Sequence, residues 1–502
     1  MSMINDYSDR QLVPRLLSFE TANALSLNLN SNNKAFNQIN SFELHNYQKL
    51  KAEWKTEKNI VIATQILMYE ILNDSLCVDK EIIYYLNNNL KHLNRIEAEI
   101  LLIANNKVDN KEILAQKPQY DVNISDLIKD VRAKKKLYPL NSLQWCNLGF
   151  FYTRLGLIKK AEKSFRIAIN LNNSNRYIVR SVARFFLHIG NKEYGHHILT
   201  MSPRINYDPN LISAEIAFSE LLGKKSKFID KGIKLKDDDN LTIFEKNELL
   251  AQIATLEFAH GKNSKGKILL KECLISPNEN SLAQIAFLEK KCLLDLLPKD
   301  HSTVNCQFEA LARINFGNLD FKESFENAKN WHKFQPFSIN PAMYASYIAA
   351  IIFNNYQEAI DIANSIIKIA PNNFLINNNL AFYYARNNDI EKAIKTLKKI
   401  NINELDTHEK AVLSATNGLI AFKSGYIDTA KRGYDGAIQY FRLIKDEISL
   451  ARALYYYSNI LDKSERDKIL DEVSELSKKN NIVELNYLLK DREKTIIANS
   501  PK

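Results

Sequence analysis

The feature that most constrains this chain is a helical pattern that recurs along it. The stretch from Ser142 contains two runs of apolar and small residues, each spaced to lie on one face of a helix. The members are Trp145, Leu148, Gly149 and Tyr152 in the first run and Ala161, Phe165 and Ala168 in the second. Because Gly149 and Ala161 are small, the two helices can approach closely while the aromatic rings fill the space between successive pairs. The stretch therefore predicts a helix pair that repeats.

The same register returns downstream, in units that begin near Arg176, Phe374 and Ala411. Weaker units end at three prolines, which are Pro277, Pro336 and Pro371. The spacing W-x2-L-G-x2-Y, then A-x3-F and A, resembles the tetratricopeptide repeat, although Asn173 stands where that family has a closing proline. The resemblance covers about residues 142–444. It implies an all-α fold, a right-handed superhelical solenoid of helix pairs.

The scarcity of turn-forming residues agrees with that fold class. The chain has 13 glycines and 11 prolines in 502 residues, about 5% together where about 12% is usual. A β-rich chain needs both residues at its many turns, and an α/β chain needs glycine at its phosphate loops. We therefore expect a long all-helical protein.

The same pattern predicts four segments. Residues 1–41 are expected to form an extended arm, because Pro14 and an asparagine-rich stretch oppose a long helix. Residues 42–137 carry helical periodicity without the motif and are expected to form degenerate repeats. Residues 138–444 form the solenoid, and residues 445–502 form capping helices, with two long helices expected between 447 and 490.

Other sequence features bear on the cellular compartment. The five cysteines form no CxxC pair and are odd in number, which favours a reducing compartment over disulfides or structural zinc. The N-terminus has no basic start followed by an apolar run, and no apolar run is long enough to cross a bilayer. We expect a cytoplasmic protein that does not enter the membrane.

Three short motifs resemble catalytic or metal-binding sites but lack residues or spacings that such sites require. Gly261, Gly266 and Lys267 satisfy G-x4-G-K, but a phosphate loop needs a preceding strand and a Ser or Thr after the lysine, where Ile268 stands. Adjacent His196 and His197 would point about 100° apart on a helix and could not chelate together. The acidic run at 237–239 lacks the alternating ligand spacing of a calcium loop. We therefore expect no enzyme activity, no cofactor and no bound metal.

The first helices of the repeats carry the candidate binding residues. Arg176, Arg180 and Arg184 form one stripe of donors suited to carboxylates or phosphates. Because no acidic residue occurs from 176 to 190, the stripe is expected to lack compensation within its helix and to meet an acidic partner segment or phosphate.

The resemblance implies that further side chains line a concave groove. Three asparagines occupy positions that bind an extended peptide backbone in related proteins: Asn147, Asn378 and Asn379. A second column lies near the ends of the first helices and comprises Arg154, His188, Arg386 and Lys423. Cations at a helix C-terminus are favoured by the helix dipole whether or not a ligand is present, so this column has a structural explanation as well.

These observations favour an interaction scaffold that binds a partner protein through its groove and arm. The alternative is a subunit of a nucleic-acid-binding complex, with which the net charge of +10 is compatible; a peptide-sensing transcription regulator ranks last. The stretch 9–25 is similar to bacterial repeat proteins encoded beside toxin-like or phage-defence partners, which implies an accessory subunit whose arm grips with Arg10, Arg15 and Phe19. The partner and the oligomeric state stay open.

Overall fold

Helices are the regular elements throughout the described part of the chain. The computed structural model describes residues 41–71, 77–93, 124–137, 139–239, 241–292, 307–335 and 338–498, with a few single positions between these ranges. The predicted all-α fold class is confirmed. No helix in these ranges is long and apolar enough to cross a membrane. The arm residues Arg10, Arg15 and Phe19 lie outside the described residues.

The described ranges hold 24 α-helices and four short 3-10 turns. In chain order the α-helices are α1 Ser41–Thr56, α2 Ile60–Ile71, α3 Lys80–Asn87, α4 Ile124–Leu137, α5 Ser142–Arg154, α6 Ile158–Leu171, α7 Arg176–His188, α8 Lys192–Met201, α9 Pro209–Leu221, α10 Ile229–Lys236, α11 Ile243–Ala259, α12 Asn263–Cys273, α13 Glu279–Cys292, α14 Phe308–Gly317, α15 Phe321–Phe334, α16 Ile339–Ile351, α17 Tyr356–Ile367, α18 Phe374–Arg386, α19 Ile390–Leu397, α20 Thr407–Lys423, α21 Ile427–Leu443, α22 Glu447–Tyr457, α23 Lys463–Lys479 and α24 Val483–Ala498.

Consecutive helices pair into hairpins through a turn that contains a residue with positive φ. Gly156 (φ 70°) joins α5 to α6, and Gly190 (φ 84°) joins α7 to α8. Glycine is favoured there because it adopts the left-handed conformation without steric cost. Asparagine takes the same role at Asn354, Asn388 and Asn481, since its short polar side chain tolerates this region.

The predicted close approach of paired helices is confirmed. A Cβ atom placed on Gly149 would lie 2.9 Å from ring carbons of Phe165, so only hydrogen fits between α5 and α6. A Cβ on Gly418 would lie 2.9 Å from the Tyr434 ring in the α20–α21 hairpin. Small residues on one helix and aromatic rings on the other thus form the hairpin core.

The chain divides into two compact units. The N-terminal unit runs to Ala310, and the C-terminal unit contains the chain from Leu311 to its end. The N-terminal unit includes a buried cluster of Leu282, Ala286 and Ala310. The C-terminal unit includes a buried cluster around Ala342, Met343, Ile366, Leu375 and Ile376.

The rejected motifs lie on helices and at one turn between helices. Gly261 (φ 75°) forms the α11–α12 turn, and Lys267 is exposed on α12. Because the preceding element is a helix, this segment is not a phosphate loop. His196 lies 3.0 Å from a carboxylate oxygen of Glu215, while His197 is exposed.

The prediction of two long helices between 447 and 490 is wrong, because the structure has three. A 3-10 turn at Ser458–Ile460 ends α22. Asp462 then begins α23 by accepting hydrogen bonds from the backbone N–H groups of Ser464 and Glu465. An aspartate at an N-cap satisfies donors that the new helix leaves free. Asn481 (φ 48°) forms the turn into α24.

Candidate partner-binding surface

The first helices of the hairpins share a register set by their N-caps. Asn141 begins α5, Asn175 begins α7 and Asn373 begins α18, each with its side-chain oxygen accepting a backbone N–H one turn later. Asp208 and Asp446 do the same for α9 and α22. We call the surface formed by the first helices of a unit its inner face. Six residues after the cap, this register places Asn147, Asn379 and Arg452 at equivalent positions.

The expectation of an uncompensated arginine stripe is wrong at two of its three positions. Arg176 is 2% exposed, and its Nε donates to Oδ2 of Asp208 at 2.7 Å. Arg180 is 3% exposed, and its Nη2 lies 2.9 Å from Oε2 of Glu248. The compensating carboxylates come from the cap of α9 and from α11, so the composition of α7 alone could not reveal them. Arg176 thus joins its hairpin to the next one, and Arg180 joins it to the hairpin after that.

The carboxylates of these pairs are themselves well supported. Oε1 of Glu248 accepts hydrogen bonds from Nδ2 of Asn278 at 2.9 Å and from Nδ2 of Asn280 at 3.0 Å. Although burial opposes ionisation, the Arg176 and Arg204 guanidiniums hold the pKa of Asp208 below its usual range. The inner face of this unit is therefore a buried ionic and polar network.

The remaining stripe and column residues differ in exposure. Arg184 and Arg154 are half-buried. Loss of solvation, together with the nearby Arg184 charge, lowers the pKa of His188 to about 4, so this residue is neutral at pH 7. The expected column of cations is therefore wrong at His188.

The column residues of the C-terminal unit connect neighbouring hairpins. Arg386 donates to the hydroxyl of Tyr356 from Nε at 3.0 Å and from Nη2 at 2.7 Å. Exposed Lys423 donates to Oδ1 of Asn388 at 3.0 Å. Both contacts give these cations a structural role within the stack of hairpins.

The predicted asparagines are buried on the inner faces and are not open to solvent. Asn147 is 5% exposed, and Asn378 and Asn379 are fully buried. Among the described residues, neither Nδ2 nor Oδ1 of Asn378 has a hydrogen-bond partner. A buried polar group without a partner lowers stability by about 1–3 kcal/mol. The Asn378 amide is therefore a buried polar group whose hydrogen-bonding capacity is not satisfied by its surroundings.

A second set of inner-face residues, which the sequence did not reveal, holds the last helix of the chain. Oε1 of buried Glu484 on α24 accepts from the Tyr347 hydroxyl at 3.1 Å. The same oxygen accepts from Arg452 Nε at 3.0 Å and Nη2 at 2.7 Å. Arg452 escaped prediction because the repeat register was followed only to residue 444, although the Asp446 cap places Arg452 at the position of Asn147.

A small pocket adjoins Arg452 between α18, α20, α21 and α22. It has free space of about 60 Å³, room for a few water-sized groups. The lining includes Arg452 together with Phe382, His408, Thr416, Ser449 and Tyr456. Nε2 of His408 lies 3.1 Å from Oδ2 of Asp446, which fixes the ring at the pocket wall. The pocket suits the end of one polar side chain.

Within the described ranges, no three His, Cys, Asp or Glu side chains come together in a group that could hold a metal ion. Arg452 and Tyr347 offer charge-assisted hydrogen bonds to a carboxylate.

Comparison with known proteins finds a family model that matches one repeat of the chain. Residues 145–175 match the model of the tetratricopeptide repeat. The chain is an all-α protein of consecutive helix hairpins. The matched repeat consists of α5, α6 and the turn that follows.

Several solved structures are similar to the chain at low identity. The human IFIT1 dimer with PPP-AAAA is 13% identical over 88% of this chain and 100% of that chain, with a TM-score of 0.33. Yeast Tom70 is 13% identical over 72% of this chain and 93% of that chain, at 0.28. The Cut9-Hcn1 hetero-tetramer of the APC/C is 12% identical over 91% of both chains, at 0.30. No curated protein matches. Scores this low support no inference about ligands.

Proposed function

We propose that this protein is a non-enzymatic interaction scaffold that holds a segment of a partner protein on an inner face of its hairpins. The proposal depends on one observation, the hydrogen bonds that bind the Glu484 carboxylate. In the C-terminal unit, a tyrosine from α16 and an arginine from α22 meet on one carboxylate oxygen of a helix. An inner face that binds a helix through a buried carboxylate has the donors to bind a segment of another protein in the same way.

The finer part of the proposal concerns the partner and the setting. We propose an acidic partner segment, because the inner-face donors Arg452 and Tyr347 recognise a carboxylate. The similarity of residues 9–25 to bacterial repeat proteins supports an accessory subunit of a toxin-like or phage-defence complex. The absence of CxxC pairs from the sequence supports a reducing cytoplasm.

The nucleic-acid alternative loses its main support in the structure. It depended on the arginine stripe as a phosphate-binding surface, yet Arg176 and Arg180 are buried against Asp208 and Glu248. A buried, paired guanidinium cannot release counterions from a phosphate backbone.

Affinity purification of the tagged full chain from its own host tests the scaffold function. We expect a protein to be retained in stoichiometric amount, identified by mass spectrometry, with a spectrum free of nucleic-acid absorbance at 260 nm. Recovery of the chain with bound nucleic acid, or without any stoichiometric protein, would overturn the proposal.

A further inference from the structure

We propose that α24 is an internal ligand of the C-terminal unit, and that a partner helix carrying a carboxylate between apolar residues displaces it. This inference rests on the proposed scaffold function and names both the site and the chemistry of its partner. The site comprises Tyr347, Arg452 and the inner-face residues around them. Its present occupant is the segment from Ile482 to Leu485.

The contacts of α24 reach well beyond the helix that precedes it. Glu484 binds Tyr347 on α16, which is 137 residues earlier in the chain. The Tyr487 ring packs edge to face against Phe321 at the start of α15, with ring centroids 4.8 Å apart. A helix that only closed the end of the repeats would need contacts with α23 and α22 alone. Instead, α24 returns to the first hairpins of its unit.

The specificity of the hold comes from one charged group. Glu484 is 3% exposed, and three donor atoms from two helices converge on its Oε1. A neutral side chain in place of this carboxylate would leave the Arg452 charge without its partner, which is costly in a buried site. The site therefore distinguishes Glu from Gln.

The apolar side chains of α24 are only partly buried. Between residues 483 and 491 only Glu484 and Leu485 are buried, while Leu488 and Leu489 stay half-buried. By contrast, α16 buries every residue from Pro341 to Ile351. A helix with so little buried apolar surface belongs to the elements of a fold that open most readily.

A helix of the same unit, α18, also carries a buried polar group. Asn378 lies on α18, which stands in hairpin order between the two helices that hold Glu484. Its amide is fully buried and, within the described part of the chain, lacks any hydrogen-bond partner. One turn later on the same helix face, the Phe382 ring packs 5.2 Å from Tyr456.

Release of α24 requires change at few residues. Only Asn480, Asn481 and Ile482 separate it from α23. Asn481 already has positive φ, and the Ser477 hydroxyl anchors the turn by donating to the Ile482 carbonyl at 3.1 Å. A short turn of this kind can serve as a hinge while α23 stays packed.

The test uses a fluorescent peptide of residues 480–491 and a matched peptide with glutamine in place of Glu484. Fluorescence anisotropy measures the binding of both peptides to the full chain and to its Glu484→Gln variant. The variant should bind the glutamate peptide at least tenfold more tightly than the unaltered chain does, because its own helix no longer competes. The glutamine peptide should bind at least tenfold more weakly than the glutamate peptide.

The control is Glu475→Gln, which removes an exposed carboxylate from α23 and should leave peptide binding as in the unaltered chain. Hydrogen exchange of α16 and α18 checks that each variant remains folded. Adding Arg452→Gln to the Glu484→Gln variant should abolish binding of the glutamate peptide.

Equal binding of the glutamate peptide by the Glu484→Gln and Glu475→Gln proteins would overturn the inference, as would equal binding of the two peptides. Such a result would leave the scaffold function intact, because capture of a stoichiometric partner is measured separately.

Discussion

Replacement of Asp208 by asparagine tests whether the buried ion pair with Arg176 holds the first helices of the N-terminal unit together. The carboxylate is fully buried and lies 2.7 Å from a guanidinium that is 2% exposed. Asparagine is as good an N-cap as aspartate, so the hydrogen bonds from the backbone N–H groups of Asn210 and Leu211 should remain. The substitution therefore removes the charge and little else.

Loss of one partner from a buried ion pair costs about 3–5 kcal/mol. We expect the lower end, about 3 kcal/mol, because the asparagine oxygen can still accept a hydrogen bond from Arg176. That cost corresponds to an increase of about 150-fold in the equilibrium constant for opening. Because the chain has two compact units, a single unfolding midpoint would not isolate this region.

Native-state hydrogen exchange followed by mass spectrometry reports opening at each helix. Peptides that cover α7 and α9 should lose about two orders of magnitude in protection in Asp208→Asn. The matched control, Asp230→Asn, alters an exposed carboxylate at the start of α10 and should change protection less than threefold. Protection of α7 and α9 in Asp208→Asn within threefold of the unaltered chain would refute the reasoning.

Three further predictions follow from other parts of the structure. Alanine at Gly418 would place Cβ 2.9 Å from the Tyr434 ring and should cost about 1–3 kcal/mol of stability by overpacking. Alanine at Gly436, where the space is open, should stabilise α21 by about 0.5–1 kcal/mol. Hydrogen-exchange rates in α20 and α21 that change in the same direction in both variants would contradict this. The pKa of Asp208 is depressed in the folded chain, so its contribution to stability is present above the ordinary aspartate pKa and is lost as the pH falls through the folded value. Protection of α7 should thus decline as the pH falls below the ordinary aspartate pKa of about 3.9 in the unaltered chain and not in Asp208→Asn, and an identical decline in both would count against the ion pair. Lys267→Ala should leave stability unchanged, and calorimetry should detect no magnesium-dependent ATP binding by either protein; saturable binding lost in the variant would restore the phosphate loop.

Features of the fold could be predicted from the sequence where the interacting residues lie close together along the chain. The pairing of α5 with α6 depends on small residues at Gly149 and Ala161 and on the ring of Phe165, all within about one repeat of chain. Prediction failed where local signals of this kind were overlooked: the Asp462 cap and the Asn481 turn divide into three helices a stretch that was expected to form two.

The sequence predicted which helices carry the candidate site residues but did not predict that these residues are buried. The residue types and register placed Asn147, Arg176, Arg180, Asn378 and Asn379 on first helices, where the structure has them. The same reasoning made them an open groove, whereas the structure buries all five. Burial depends on how tightly neighbouring hairpins pack, and no property of a single helix reports that distance.

The sequence by itself therefore determined the helical class, the hairpin as the folding unit and the turns that join its helices, because each depends on residues close together in the chain. Tertiary structure alone decided the electrostatic partners. Arg176 binds Asp208, 32 residues later in the chain, and Tyr347 binds Glu484, 137 residues later. Both contacts depend on the relative rotation of stacked helices. That rotation follows from the packing of many side chains at once, so a charge that looks uncompensated on one helix can be neutralised by another.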